Sequence, residues 1–450
     1  MFQMFKTHPK GLYILFFTEL WERFSYYGMR AILVLYLVAQ TNDNGLGWTN
    51  TEALSLYGWY TMLVYVMSIP GGFIADRFLG QKNTVLIGGS LLVIGHTLLA
   101  FEGSSFFYSG LILIILGVGG LKPNISTMVG GLYKQGDPMR DKGFTIFYIG
   151  INIGAFAAGI VVAFIAELWG WHYGFAAAGV GMFIGLMVYL IGQKHLATVG
   201  NFIKHNKNSI ENKIKKKPLT KIEKDRVIVL LLSFLIVIMF WGAYEQAGGL
   251  MNLYTQSLTD RSFLGYEIPA AAFQSLAAFY IIVIGAAVAN FWIKRRNKGK
   301  ENSSIFKMAI GNIIMGLGFI LMVGASIQTE VSSTGEVIAK SNMLWLFGAY
   351  LLHTIGELCS SPVALSFITK LAPVKYASLM MGIYFATTGF GNKVAGLLGE
   401  AAQHFGDIQI FGGIAGFSIL FGLILLLFLK KLKALTHGAE DDVIEPEVTL

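Results

Sequence analysis

Apolar residues in this chain gather into long runs separated by short polar connections. Twelve runs can be traced, at 12–39, 51–76, 83–101, 106–133, 143–169, 172–192, 225–258, 270–293, 305–327, 342–371, 376–400 and 408–430. Each has about the length a helix needs to cross the hydrocarbon of a bilayer, roughly 20 residues. The pattern therefore predicts an all-α polytopic membrane protein. The longest interruption, 193–224, is polar and basic and divides the runs into six and six.

Composition agrees with that solvent. Hydrophobic residues make up 54% of the 450 positions and charged residues only 13%, where a soluble domain carries about 25%. The net charge of +8 is explained by where the cations sit. Of 34 Lys and Arg, 28 lie at the chain ends or in and beside the even-numbered connections. Only Arg261 and Lys340 lie in odd-numbered ones. This alternation is the positive-inside pattern and places both termini in the cytoplasm. The basic excess then reads as topology and contact with anionic membrane lipid, and no nucleic-acid partner is expected. A single cysteine, Cys359, excludes an intramolecular disulfide framework. The first run is long and charged and lacks a cleavage site after a short apolar core, so it is expected to stay as the first span.

Two six-helix halves joined by a basic cytoplasmic loop form the layout of the major facilitator fold, whose substrate site lies between the halves at mid-membrane depth. The expected division is a first bundle over 1–192, a linker over 193–224, a second bundle over 225–432 and a cytoplasmic tail over 433–450. Glycines such as those of "GVGGLKPN" and "GINIGAFAAG" read as close helix packing in lipid.

The first run breaks the apolar pattern at "ELWERFSYYGMR", residues 19–30. At about 100° per residue, Glu22, Arg23, Tyr26 and Arg30 all fall within about 60° of Glu19. Four charges on one stripe of a spanning helix are costly unless paired or hydrated, which makes them candidates for function. A carboxylate beside a guanidinium can take up or release a proton as its surroundings change, the property a proton-coupled carrier requires. Lys122, Glu245 and Glu357 also fall well inside their runs. The cations Arg30 and Lys122 belong to the first half and the carboxylates Glu245 and Glu357 to the second, an arrangement suited to a zwitterion with separated ends.

These residues carry a resemblance. "ELWERFSYYGMR" resembles the ExxERF(x)YYGxR signature of the proton-dependent oligopeptide transporter family, within the major facilitator superfamily. "GGFIADRFLGQKN" (71–83), "GLKPNIS" (120–126), "FYIGINIGAF" (147–156), "FWGAYEQ" (240–246) and "GELCSSPVALSFITKLAP" (356–373) resemble further motifs of that family, in order along the chain.

The resemblance implies a proton-coupled symporter that imports di- and tripeptides by alternating access, a carrier and not an enzyme. It implies a proton-coupling cluster of Glu19, Glu22 and Arg23, with Glu245 as a gating carboxylate that pairs with Arg30 or Lys122. Arg30 and Lys122 are expected to meet the peptide carboxylate, and Glu357 its ammonium, helped by Asn152 and Ser361. Tyr26, Tyr27, Tyr65, Trp241 and Tyr384 are expected to line the pocket. Protons are the coupling ion; no other cofactor and no metal is expected. The implied setting is a bacterial inner membrane, with the chain acting as a monomer.

In two places the sequence departs from relatives. The linker is too polar to hold the two extra helices that many bacterial members carry, and the second run lacks the histidine on which animal members rely. His353, one turn before Glu357, reads as a packing residue, and Lys393 as a side chain reaching toward the outer headgroups. The alternative cargo is another small solute, such as nitrate, an amino acid or a drug-like molecule; carrying both an ammonium acceptor and carboxylate donors favours peptides. No HExxH, GxSxG or comparable catalytic signature occurs, and the charged residues suit alternating access better than a channel.

Overall fold

The computed structural model describes residues 8–134, 137, 139–202, 218–332, 334, 336–373 and 377–440, with the side chains of 369 and 377–379 left aside. Much of the basic linker and the last ten residues lie outside them. Long helices dominate: α1 (Lys10–Val38), α2 (Asn50–Val66), α3 (Gln81–Leu99), α4 (Ser104–Gly131), α5 (Met139–Trp169) and α6 (Trp171–Gly192) form the first half. The second half holds α7 (Lys221–Tyr244), α8 (Ser275–Asn297), α9 (Ser304–Gln328), α10 (Leu344–Leu371), α11 (Ala377–Phe405) and α12 (Asp407–Leu427). Ten spans among the described residues are long and apolar enough to cross a membrane. The remaining long helices, α1 and α11, have 29 residues each; α1 carries the charged stripe.

Local chemistry sets several ends. α2 and α7 each open on a capping box, Thr49 with Glu52 and Thr220 with Glu223, which satisfies backbone N–H groups that a helix start leaves unpaired. That box starts α7 at Lys221, four residues before the expected boundary, because the helix extends past the apolar run into water. α2 continues as a short helix, Ser68–Ile74, and a wide turn, Ala75–Leu79. α7 tightens into a single turn at Glu245–Ala247, and the chain resumes as a helix over Leu250–Leu258.

Inside each half the helices pack as a bundle, with α1 against α5 and α6, α3 against α4, and α9 against α10 and α12. Between the halves the main contacts are α2 with α11 and α5 with α8. One close approach within the first half is built on Pro123. Lacking an N–H, it leaves the Gly119 carbonyl without its helical donor. A Cβ at Gly71 would stand 1.9 Å from that oxygen, so only glycine fits at 71. Among the described residues, three two-stranded pairs complete the face opposite the basic connections: 259–260 parallel to 341–342, 262–263 antiparallel to 266–267, and 330–331 antiparallel to 337–339.

Candidate functional site

Between the halves lies a cavity of about 1150 Å3. Its first-half wall carries Glu19, Arg23, Tyr27, Arg30, Tyr65, Lys122 and Asn152, and its second-half wall Trp241, Tyr244, Glu245, Glu357, Ser361 and Tyr384. The cavity continues past Gln81, Tyr133 and Arg140, which lie at helix ends beside the basic connections. It is therefore open toward the cytoplasm and closed at the other end.

The closure is a buried ion pair. Arg30 Nη1 of α1 donates to both oxygens of Glu245, at 2.9 and 2.7 Å. The Tyr57 hydroxyl of α2 donates to Glu245 Oε2 at 3.1 Å. Gly248 permits this contact, since a Cβ there would stand 2.0 Å from the Tyr57 hydroxyl oxygen. The tight turn after α7 thus presents Glu245 to two helices of the other half. Neutral bonds reinforce the seal. The side-chain amides of Asn252 and Gln274 both donate to the Ala31 carbonyl, at 2.8 and 3.2 Å. Ser275 Oγ donates to the Phe156 carbonyl at 2.9 Å.

Lower on α1, Arg23 is chelated by Glu22: Nη2 donates to Oε1 at 2.6 Å and Nε donates to Oε2. Glu19 Oε1 is 3.2 Å from Arg23 Nε. The guanidinium lies over the Tyr26 and Tyr27 rings, at 5.2 and 5.8 Å, and that of Arg30 lies 5.0 Å over Tyr27. Two carboxylates thus share one guanidinium.

Lys122 has no carboxylate within ion-pair distance among the described residues; its Nζ sits 3.6 Å over the Tyr65 ring. Glu357 is held by Tyr244, whose hydroxyl donates to Oε2 at 2.5 Å. Asn152 Nδ2 donates to the Tyr148 carbonyl at 2.9 Å, which leaves its Oδ1 available for a ligand donor. Among the described residues, Lys122 and Glu357 therefore stand in the same cavity as a cation and a carboxylate without an ionic partner.

Similarity to known proteins now bears directly on this arrangement. Residues 82–216 and 202–409 match the family described as PTR2, POT family. The chain is 36% identical to "Uncharacterized transporter YclF" of Bacillus subtilis (strain 168), over 96% of each chain. It is 32% identical to a "Di-/tripeptide transporter" of Lactococcus lactis subsp. lactis (strain IL1403), over 95% of this chain and 96% of the other. This chain belongs to the POT family. Among solved POT structures, a peptide transporter in complex with alafosfalin is 34% identical with a TM-score of 0.85, covering 95% of this chain and 96% of that one. A POT family transporter in complex with 5-aminolevulinic acid is 30% identical with a TM-score of 0.86, covering 94% and 97%.

Measured against the sequence expectations for a POT protein, the wall residues converge, with one correction. Tyr26 does not line the cavity; it is 2% exposed and packs in the first-half core. On the helical wheel Tyr26 and Glu22 lie on one side of Glu19, whereas Arg30, Arg23 and Tyr27 lie on the other. The packing of α1 against its neighbours turns the second side inward. Glu22 is likewise fully buried behind the wall, reaching the cavity only through Arg23. Lys393 also differs: it pairs with Glu400 at 3.5 Å and lies 4.7 Å over the Trp59 ring, so a partner is nearer than the headgroups. His353 packs on Phe319, ring centroids 4.5 Å apart. Tyr57 and Tyr244 were missed. Tyr244 had a signal, three residues after Trp241 and so on the same helix face; Tyr57 depends on a contact between helices of different halves.

Proposed function

We propose that this chain is a proton-coupled symporter that imports di- and tripeptides by alternating access, in the state open to the cytoplasm. One observation carries the reading: a cation, Lys122, and a carboxylate, Glu357, neither with an ionic partner among the described residues, occupy opposite walls of one cavity whose outer end is closed by the Arg30–Glu245 pair. A peptide carboxylate suits Lys122 and Arg30, and its ammonium suits Glu357 with Asn152. Recognition of the ends leaves side chains loosely selected. Protons are the coupling ion, carried by the Glu19–Glu22–Arg23 cluster and by Glu245. Protonating Glu245 would release Arg30 and open the outer end, while the inward proton gradient supplies about 2.3 kcal/mol per charge per 100 mV. A single chain encloses the whole cavity, so a monomer suffices, in the inner membrane of a bacterium.

The relative bound to 5-aminolevulinic acid supports a second cargo, small amino acids with a separated ammonium and carboxylate, which the same two walls would accept. Uptake of labelled dialanine into proteoliposomes, with and without an inward proton gradient, tests the main reading. Gradient-driven accumulation, converted to pH-independent exchange by Glu22→Gln and sharply reduced but still measurable with Glu357→Gln, is the expected result. Absence of uptake by folded protein would remove peptides as the cargo.

A further inference from the structure

Glu357 has an unusual setting for a carboxylate inside a spanning bundle. Its hydrogen-bond partner among the described residues is a neutral phenol, Tyr244, donating to Oε2 at 2.5 Å. That phenol packs against two further aromatic rings. The Tyr244 ring stacks on Phe240, with centroids 5.9 Å apart and planes 22° from parallel. It also meets Trp241 edge-on at 5.2 Å. Residues 240, 241 and 244 are spaced i, i+1 and i+4, so one turn of α7 supplies the whole aromatic frame. Tyr244, Trp241 and Glu357 all line the cavity.

The chemistry of the pair is directional. A carboxylate offers about four acceptor positions over two oxygens, of which Tyr244 occupies one on Oε2, with Oε1 unoccupied among the described residues. With its proton committed to Glu357, the phenol oxygen still has acceptor capacity facing the same space. A primary ammonium at Glu357 carries three N–H donors and can reach both oxygens at once. An ammonium with a single N–H cannot.

Resting on the peptide reading above, we propose that Tyr244 is a positioning residue of the ammonium site, holding the Glu357 carboxylate through Oε2 and offering its own oxygen as a second acceptor, so that the site selects primary ammonium groups over heavily N-alkylated ones. Tyr244 does this without carrying charge, and it is separate from the proton-coupling cluster of α1.

The test compares KM and kcat for uptake of dialanine and of N,N-dimethyl-dialanine by wild-type protein, Tyr244→Phe, Glu357→Gln and the double variant, all reconstituted. Phenylalanine keeps the ring that packs on Phe240 and Trp241, and matching melting temperatures check the fold. Tyr244→Phe is expected to raise KM for dialanine about tenfold, as for a hydrogen bond to a charged group, with kcat changed less than about twofold. The N,N-dimethyl substrate should shift by less than about threefold, since it uses one donor, so selectivity for the primary ammonium falls. Adding Tyr244→Phe to Glu357→Gln should then cost little more. An unchanged or lowered KM for dialanine would overturn the proposal, as would equal shifts for both substrates or an undiminished loss in the Glu357→Gln background. Failure of wild-type protein to carry dialanine at all is a different result and would strike the peptide reading itself.

Discussion

Arg30 and Glu245, 215 residues apart, meet through two hydrogen bonds from one guanidinium nitrogen to both carboxylate oxygens, at 2.9 and 2.7 Å. Their side chains are 9% and 3% exposed. Because the partners come from different halves, the pair exists only while the outer end is closed. Removing one partner of a buried pair costs about 3–5 kcal/mol, through the charge left behind. Glu245→Ala should therefore shift the protein toward the outward-open state by at least about a hundredfold, since about 2.7 kcal/mol corresponds to that factor. Distances between spin labels on the outer ends of α1 and α7 should lengthen, and proton-driven accumulation should be lost.

The same closed state brings α2 and α11 together at Gly58 and Gly396. A Cβ at Gly396 would lie 2.8 Å from the Gly58 Cα and 2.9 Å from the Leu54 carbonyl. Backbone atoms cannot yield as a flexible side chain does. Gly396→Val is expected to favour the outward-open state with the Arg30–Glu245 chemistry intact. Labelling of a cysteine placed at the outer end of the cavity should rise severalfold, while melting temperature falls by only a few degrees.

Lys122 stands over the Tyr65 ring at 3.6 Å, and a cation–π contact of about 0.5–2 kcal/mol offsets only part of the cost of its burial. A ligand carboxylate would complete it. Lys122→Gln should weaken dialanine binding about tenfold or more, yet barely alter binding of alanyl-alanine amide, which has no carboxylate. Equal losses for the two ligands would show that Lys122 does not read the carboxylate.

At the cytoplasmic face the chain beyond α12 folds back on the α8–α9 connection. Lys433 Nζ is 3.5 Å from Glu301 Oε2, and the Ser304 hydroxyl and N–H at the start of α9 donate to the Glu440 carboxylate. Burial alone would raise the Glu301 carboxyl, but hydrogen bonds from Ser303 and the charge of Lys433 bring it below the usual value. A depressed folded value means the stabilisation is complete above the ordinary carboxylate range and disappears as pH falls through the lower folded value. The fold-back should thus hold at neutral pH and loosen below about pH 4. Labels at positions 298 and 439 should move apart over that range, and Glu301→Gln should remove that pH response.

How much of this was legible beforehand follows from which properties are local. The succession of spans and the cytoplasmic face follow from the chain itself, because a bilayer tests each segment separately for length, hydropathy and flanking charge. The charged stripe of α1 is local too, since helical periodicity fixes which residues share a face. Within that stripe the inward direction is not local. Tyr26 lies near the middle of the polar arc yet is buried, and Tyr27, outside the arc, lines the cavity, because packing of α1 against α5 and α6 sets its rotation. Only the tertiary structure decided that Glu245 takes Arg30 rather than Lys122, that Gly248 makes room for the Tyr57 hydroxyl, and that Tyr244 holds Glu357. Each depends on two helices distant in sequence meeting at one depth. The conformational state is further still from the sequence: alternating access needs two packings of similar free energy, and the chain encodes both while the structure presents one.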